Sequence, residues 1–238
     1  MFKRILLKLS GEVLAGSSKQ GIEEPAVIFV ANQIKSLKDK FPELELAIVI
    51  GGGNIFRGKQ NPYIERVKAD YIGSMGTVIN SMALSSALEK IEIVNTVMTP
   101  FNLDVFSSKY NAFEGRRILE RGEIVILGGG TGHPFFTTDT NAALRASELQ
   151  CDLIIKATKV DGLYDKDPNK YSDAVFIEEI TFDEVIKKDL QVMDITAFTL
   201  CRENNIPIFI CNLTREGQML EFLEGKKTGS IVIGGKND

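Results

Sequence analysis

Short runs of Ile, Val and Leu recur along the chain and alternate with stretches of helical periodicity. The runs are near-continuous, which is typical of strands buried on both faces of a parallel sheet. They lie at 5–9, 46–50, 93–98, 124–127, 153–156, 208–211 and 230–233. Helical spacing occupies 26–39, 65–90, 110–121, 140–150 and 196–204. This alternation predicts an α/β fold, a three-layer α/β/α sandwich with a mainly parallel central sheet.

The spacing also indicates how the chain is organised. One face of the predicted helix 65–90 carries apolar residues at steps of three and four, namely Ile72, Met75, Ile79 and Met82. The longest irregular stretch, about 157–181, is predicted to be a long loop or a hairpin over a site. No repeat or Pro/Ser-rich linker divides the 238 residues, so we expect a single domain with two lobes.

Composition excludes several classes of protein. With 28 Lys and Arg against 32 Asp and Glu, the formal charge is −4, so there is no net basic field to attract nucleic acid. One histidine, His133, and three scattered cysteines argue against a Cys/His zinc site or a Ser–His or Cys–His hydrolase. Lys8 interrupts the N-terminal apolar run, and no window approaches ~18 apolar residues. We therefore expect neither a signal peptide nor a membrane span, and reduced thiols in the cytoplasm.

Four glycine-bearing turns each follow a predicted strand, and ligands of open α/β sheets bind at the carboxyl ends of strands. The first turn, 8–12, contains Lys8, Ser10 and Gly11. A lysine suits a phosphate, and a glycine lets a backbone N–H approach one. The alternative is an ordinary strand exit with a solvated lysine.

The second turn places three glycines, 51–53, after a strand and Arg57 shortly beyond. Backbone N–H groups without Cβ atoms suit an anion, to which an arginine adds a bidentate contact. Residues 53–59 spell GxxxxGK, but Gln60 stands where a P-loop requires Ser or Thr. We therefore interpret this turn as an anion-binding turn of another kind, with a purely structural glycine cluster as the alternative.

The third turn, 128–140, gathers glycines, hydroxyls and the pair Phe135 and Phe136 ahead of a predicted helix. These groups suit a small polar ring against an apolar wall. The helix is predicted to start near Thr138 or Asp139, both good N-caps. Asp139 is either that N-cap or a charge that organises cationic groups.

The fourth turn, 156–168, mixes Lys156, Thr158, Lys159 and Tyr164 with several aspartates. The mixture suits a nucleotide, with lysine for phosphates, an aromatic ring for a base, and acids for ribose hydroxyls or Mg²⁺. The aspartates do not match EF-hand spacing, and a charged surface loop is the alternative. Two anion-binding turns, two strand-end lysines and an arginine on one sheet indicate phosphoryl transfer.

Six segments carry a resemblance to a known family. They are KLSGE at 8–12, GGGNIFRG at 51–58, MGTVIN at 75–80, GTGHPFFTTDTNAALRASE at 130–148, KATKVDGLYDKDP at 156–168 and VMDITAFTLCRENNIPI at 192–208. From about residue 3 to 234 the chain resembles the bacterial uridylate kinases of the amino acid kinase fold family. The resemblance implies transfer of a phosphoryl group from ATP, with Mg²⁺, to UMP in pyrimidine nucleotide biosynthesis. It also implies a homohexamer, a trimer of dimers, with GTP as activator and UTP as inhibitor.

The resemblance also implies roles for individual residues. The catalytic set is Lys8, Arg57, Asp139 and Lys156, in which Asp139 aligns the lysines. The ATP site is Lys8, Leu9, Ser10, Gly11, Gly53, Arg57, Thr158, Tyr164 and Asp167. The UMP site is Gly52, Asp70, Thr131, Gly132, His133, Pro134, Phe135, Phe136, Thr137 and Thr138, with His133 where the family usually has Asn. The GTP site is Gly16, Ser17, Ser18, Lys19, Gln20 and Gly21. No protein metal ligand is assigned.

By the same resemblance, about 1–150 forms the UMP lobe and dimer interface, and about 151–238 forms the ATP lobe. Two rival functions stay open at this point. One is a kinase of the same fold that acts on a carboxylate or carbamate, and the other is a non-catalytic sensor of UTP or GTP. A Rossmann dehydrogenase is disfavoured because His133 stands where the third glycine of GxGxxG belongs.

Overall fold

The apolar runs form buried strands in a computed structural model of the chain, which describes residues 2–166, 168 and 170–234. The strands are β1 (Arg4–Leu9), β2 (Glu45–Ile50), β3 (Asn95–Thr99), β4 (Ser108–Lys109), β5 (Ile124–Leu127), β6 (Leu153–Thr158), β7 (Leu163–Tyr164), β8 (Phe176–Ile177), β9 (Glu179–Thr181), β10 (Ile208–Asn212) and β11 (Ser230–Ile233). Every residue of β2 and β5 is buried. The seven predicted strands are all present, with ends that differ by one or two residues.

Nine of the described strands make one sheet, in the order β4-β3-β5-β2-β1-β6-β10-β11-β9. All neighbours are parallel except β10 and β11, which confirms the predicted mainly parallel sheet. The remaining strands, β7 and β8, form an antiparallel hairpin. That hairpin lies inside the stretch 157–181 and agrees with the hairpin predicted as one alternative there, although β6 and β9 extend into the two ends of the stretch.

Helices cover both faces of the sheet. They are α1 (Glu24–Lys40), α2 (Arg66–Lys90), α3 (Ala112–Glu120), α4 (Thr138–Leu149), α5 (Phe182–Lys187), α6 (Ile195–Glu203) and α7 (Gln218–Leu223). Successive residues of a strand point to opposite faces. Accordingly, Leu6 of β1 packs in the core cluster with α3, α4 and α6, whereas Ile5 and Leu7 pack in the cluster with α1 and α7. The three-layer sandwich is therefore confirmed. No helix in the described ranges is long and apolar enough to cross a membrane.

Helix α2 does not pack on the sheet with the apolar face that its sequence spacing indicates. Its apolar residues Ile72, Met75 and Ile79 are 41%, 42% and 46% exposed, although their spacing is that of an amphipathic helix. The buried face carries small and polar residues such as Gly76 and Asn80 in the middle of the helix, and Leu84 and Leu88 toward its end. Small residues are needed there because the Gly51–53 turn lies directly on the helix: a Cβ at Gly76 would lie 3.2 Å from the Gly52 oxygen. An apolar stripe is consequently left on the surface.

Candidate active site

Two lysines lie side by side at the carboxyl ends of the central strands. Lys8 of β1 and Lys156 of β6 are register partners in adjacent parallel strands. Each lies two residues after a residue, Leu6 or Ile154, that packs on the α4 side of the sheet. Because residues i and i+2 of a strand share a face, both ammonium groups project toward α4. Their side chains are 12% and 15% exposed. Lys8 is therefore not the solvated lysine of the alternative interpretation.

Asp139 lies between these two lysines. Helix α4 begins at Thr138 as predicted, but its N-cap is Thr137, whose hydroxyl accepts a hydrogen bond from the Thr140 N–H at 3.1 Å. The prediction that Thr138 or Asp139 caps the helix is therefore wrong, because the preceding threonine does so. The Asp139 carboxylate makes an ion pair with Lys8 at 2.7 Å and accepts a hydrogen bond from Lys156 at 2.8 Å.

The ionisation of this cluster follows from its burial and its charges. Burial alone would raise the pKa of the Asp139 carboxyl, but the ammonium groups of Lys8 and Lys156 hold that pKa below its usual value. Burial lowers the pKa of Lys156, and Asp139 opposes that shift only in part. Lys156 also donates a hydrogen bond to the Val192 oxygen at 2.6 Å. The cluster thus holds two cations and one anion, a net positive charge at the sheet edge.

The Gly51–53 turn comes close to both β1 and α2. The Gly51 N–H donates to the Leu9 oxygen at 2.9 Å. Leu9 was predicted to belong to the ATP site; its side chain is buried in the core, and its backbone oxygen holds the glycine turn. A Cβ at Gly52 would lie 2.7 Å from the Gly73 oxygen and 2.8 Å from the Thr77 nitrogen, so only glycine fits without a backbone shift. Arg57 donates to the Gly53 oxygen at 2.9 Å and pairs with Glu12.

A cavity of about 670 Å³ lies between this turn, α2 and the 130–138 segment. Seven residues of the predicted UMP site line it: Gly52, Asp70, Thr131, His133, Phe136, Thr137 and Thr138. Gly53 and Arg57 line it too, whereas Gly132, Pro134 and Phe135 belong to the same loop but not to the lining. Glycine N–H groups, hydroxyls, a guanidinium, a carboxylate and the rings of Phe56 and Phe136 line the cavity. They suit a small phosphorylated molecule that carries hydroxyls and a ring.

Asp70 connects α2 to the loop across this cavity. Its carboxylate accepts hydrogen bonds from Arg66 at 2.8 and 2.9 Å and from the Phe135 N–H at 2.8 Å. Phe135 has a φ of +73°, a left-handed conformation that is uncommon for an aromatic residue. The hydrogen bond to Asp70 helps to hold that conformation, so Asp70 shapes the cavity as well as lining it.

The other residues predicted to bind ATP make contacts within their own segments. The Ser10 hydroxyl accepts from the Glu12 N–H at 3.4 Å, and Thr158 donates to the Val160 oxygen at 2.9 Å. Tyr164 packs edge-on against Phe176, with ring centroids 5.4 Å apart. Asp167 lies outside the described residues. In the described part of the chain, no group of three His, Cys, Asp or Glu side chains is placed to hold a metal ion.

The segment predicted to bind GTP, 16–21, follows the first glycine turn. The Ser17 and Ser18 N–H groups donate to the Glu23 carboxylate at 3.3 and 3.1 Å. Lys19, Gln20 and Gly21 line a second cavity of about 670 Å³, which Arg57 and Glu12 share with them. The segment is therefore a neighbour of the Gly51–53 turn in space.

Sequence reasoning missed some residues of this region. Asp194, the N-cap of α6, accepts hydrogen bonds from Thr140 at 3.0 and 3.1 Å and from Thr137. Asn141 is 1% exposed, lines the 670 Å³ cavity, and its Oδ1 has no hydrogen-bond partner among the described residues. The VMDITAF segment contains a recognisable helix N-cap, but nothing in its spacing reveals contact with a loop more than fifty residues away.

A further cavity, of about 750 Å³, lies at the opposite edge of the sheet. Residues that precede β1 and β2, such as Lys3 and Leu44, line it together with the stacked rings of Phe209 and Phe222. Because ligands of open α/β sheets bind beyond the carboxyl ends of the strands, the phosphate chemistry is assigned to the edge that carries Lys8 and Lys156.

Comparison with known proteins places this geometry in a family. The profile of the Amino acid kinase family matches residues 3–212. The chain is 46% identical to the uridylate kinase of Sulfurovum sp. (strain NBC37-1), over 98% of this chain and 100% of that protein. It is also 46% identical to the uridylate kinase of Helicobacter hepaticus, over 95% and 96%. The crystal structure of UMP kinase from Bacillus anthracis superimposes with a TM-score of 0.93 at 36% identity, covering 98% of this chain and 96% of that one.

Proposed function

The chain belongs to the amino acid kinase family, in its uridylate kinase branch, and we propose that it transfers the γ-phosphoryl group of ATP to UMP, giving ADP and UDP. The observation that carries this proposal is the cluster of Lys8, Asp139 and Lys156 beside the Gly51–53 turn. A buried carboxylate between two ammonium groups, close to a glycine turn, supplies the fixed positive charge that the transition state of phosphoryl transfer requires.

The reaction needs no general base. A phosphate monoester has a second pKa of about 6, so UMP is mostly a dianion at pH 7. One of its oxygens attacks the γ-phosphorus as the bond from that phosphorus to the β-bridging oxygen breaks, and the electron pair leaves with ADP. Lys8, Lys156 and Arg57 neutralise the charge on the transferring group, and Asp139 holds the two lysines in place. Catalysis is then positioning together with charge neutralisation.

The two substrates are assigned to the two sides of the cluster. We place the UMP phosphate at Gly52, Arg57 and Thr138, its ribose at Asp70, and its base along 131–137. We place the ATP phosphates at Ser10, Gly11 and Gly53, and the nucleoside near Thr158, Tyr164 and Asp167. The lining of the 670 Å³ cavity supports the UMP assignment. The ATP assignment is what the resemblance to the uridylate kinases implies.

Mg²⁺ enters this proposal as a companion of ATP. The ion dehydrates reluctantly and is commonly held by substrate phosphates together with a few carboxylates. Asp139 is engaged by two lysines, and it is therefore not our choice of ligand. The ion would supply additional charge neutralisation to the transferring phosphoryl group.

Assembly and regulation extend the proposal. The exposed stripe of Ile72, Met75 and Ile79 on α2 supports a dimer interface in the lobe 1–150, within a homohexamer built as a trimer of dimers. GTP is assigned to 16–21, as activator, and UTP acts as inhibitor. The second cavity beside 16–21 supports an effector there. The three cysteines are buried and unpaired, which suits a cytoplasmic enzyme of pyrimidine nucleotide biosynthesis.

The test is an ADP-release assay with ATP–Mg²⁺ and a panel of acceptors: UMP, CMP, dUMP, AMP, acetylglutamate, aspartate and carbamate. We expect turnover with UMP, and Lys8→Ala should lower kcat by several orders of magnitude because it removes a charge that contacts the transferring group. Turnover with an amino acid or carbamate instead of UMP would overturn the assignment of UMP as the acceptor. No ADP release with any acceptor, from folded protein that still binds UTP, would favour a nucleotide sensor.

A further inference from the structure

Two asparagines form a buried pair behind the Gly51–53 turn. Asn54, just after the turn, is 2% exposed, and Asn80, on α2, is fully buried. The Asn54 amide donates to Asn80 Oδ1 at 3.0 Å, and the Asn80 amide donates to Asn54 Oδ1 at 2.7 Å. The two carboxamides thus face each other with reciprocal hydrogen bonds, and we call them the asparagine pair.

The second proton of each amide reaches a different backbone segment. Asn80 donates to the Gly51 oxygen at 2.7 Å, which ties the glycine turn to α2. Asn54 donates to the Gly21 oxygen at 2.7 Å, and its own backbone oxygen accepts from the Gly21 N–H at 2.9 Å. Every N–H of the two side chains is therefore used, and the pair links α2, the glycine turn and the end of segment 16–21.

The asparagine pair also packs against the exit of β1. A Cβ at Gly11 would lie 2.3 Å from Asn54 Oδ1 and 2.8 Å from Asn80 Nδ2. The backbone of Gly11, which our proposed function places at the ATP phosphates, therefore rests on the two amides. On the other side the Asn80 amide holds the Gly51 oxygen, and the neighbouring Gly52 is placed at the UMP phosphate.

We propose that Asn54 and Asn80 are positioning residues that set the distance between the donor-phosphate turn at Gly11 and the acceptor-phosphate turn at Gly51–53. The inference rests on the proposed function, since it assigns the two phosphates to these two turns. Phosphoryl transfer is sensitive to such spacing, because a misplacement of about 1 Å can cost about 10²-fold in rate. Through Gly21 the pair also makes segment 16–21 move with the glycine turn, so a ligand bound to that segment acts on the spacing of the two phosphates.

The experiment compares Asn54→Ala, Asn80→Ala and the double variant with Ser85→Ala. Ser85 lies on the same helix, and within the described residues its hydroxyl bonds to Glu89 alone, at 3.4 Å, so it is a matched control. We expect each asparagine variant to lower kcat by about 10–100-fold, with the KM for UMP changed less than about threefold because no group that touches UMP is removed. The double variant should be no slower than the slower single variant, because either change already breaks the pair.

Amide hydrogen exchange provides a second readout, because it separates local opening of each segment from a loss of stability that affects the whole fold. Both single variants should speed exchange in peptides covering 11–21 and in peptides covering 50–57, whereas Ser85→Ala should change neither. If an alanine variant fails to fold, Asn80→Asp takes its place. It keeps the shape and the acceptor for the Asn54 amide, but it loses both bonds that the Asn80 amide donates, to the Gly51 oxygen and to Asn54 Oδ1.

Additive losses of kcat in the double variant, or faster exchange in only one of the two segments, would overturn the proposal. The proposal would also be overturned if the asparagine variants and Ser85→Ala lost the same stability and showed the same fall in kcat. If the wild-type protein does not phosphorylate UMP, the proposed function fails. The exchange data then decide separately whether the asparagine pair couples the two turns.

Discussion

Replacing Asp139 by Asn isolates the role of the buried carboxylate. The variant keeps the shape of the side chain and removes its charge, which leaves the ammonium groups of Lys8 and Lys156 beside each other. The three side chains are 12%, 15% and 17% exposed for Lys8, Lys156 and Asp139. Water can therefore screen the two positive charges only in part.

The size of the effect follows from the two contacts of 2.7 and 2.8 Å. With the charge centres roughly 4 Å apart and an effective dielectric constant of about 20, each attraction is on the order of 4 kcal/mol. Part of the loss is offset because the variant no longer buries a carboxylate. Measured losses for one partner of a buried pair are about 3–5 kcal/mol, and we expect the free energy of unfolding of Asp139→Asn to fall by about that amount.

The assay is urea unfolding at pH 7 and fixed protein concentration, together with kcat. Asp183→Asn is the control, because Asp183 is 79% exposed and pairs with Arg202 only at 3.9 Å; its loss should stay below about 1 kcal/mol. A second variant, Asp139→Asn with Lys156→Met, removes the repulsion between the lysines. It should recover part of the stability and none of the turnover.

Two results would refute this reasoning. One is a stability of Asp139→Asn within about 0.5 kcal/mol of the wild type, which is the range of an ordinary surface change. The other is a double variant that is less stable than Asp139→Asn, since that would mean that the lysines do not repel each other once the carboxylate is gone.

Three further predictions concern the same region. The Lys156 pKa lies below its ordinary value near 10.5. The alkaline fall of kcat/KM for the free enzyme should therefore lie below pH 10.5, and Asp139→Asn should move that fall to lower pH still. A fall at or above pH 10.5 contradicts this. The Asp139 pKa is lowered on folding, so its contribution to stability is present above its ordinary pKa near 3.8 and is lost as the pH falls below it; urea midpoints of wild type and Asp139→Asn should therefore converge in acid, and a constant gap would contradict the sign. Finally, Gly52→Ala should lower the free energy of unfolding, because its Cβ would lie 2.7 Å from a backbone oxygen. Gly73→Ala, whose Cβ meets open space on α2, should raise the free energy of unfolding by about 0.5–1 kcal/mol. The opposite order of melting temperatures would contradict the packing.

The sequence by itself determined the order of the seven main strands and of five of the helices, and the mainly parallel sheet. Near-continuous apolar runs such as 46–50 and 124–127 can be satisfied only by burial on both faces, and helical stretches between them provide the cover. It also determined which edge carries the chemistry, because glycine turns that follow parallel strands meet at one edge. The motifs at 8–12, 51–58, 130–148 and 156–168 were sufficient to indicate the family, which the comparisons confirm.

Only the tertiary structure decided what the side chains at that edge contact. Local sequence could not say whether Asp139 caps α4 or faces two lysines, because the answer depends on the register of β1 with β6 and on Thr137 as the cap. The period of α2 identified an apolar face but not its direction, since the close approach of the Gly51–53 turn requires small residues on the buried side. Contacts such as those of Asp194 or of the asparagine pair join segments far apart in the chain, and spacing along a sequence carries no information about such distances in space.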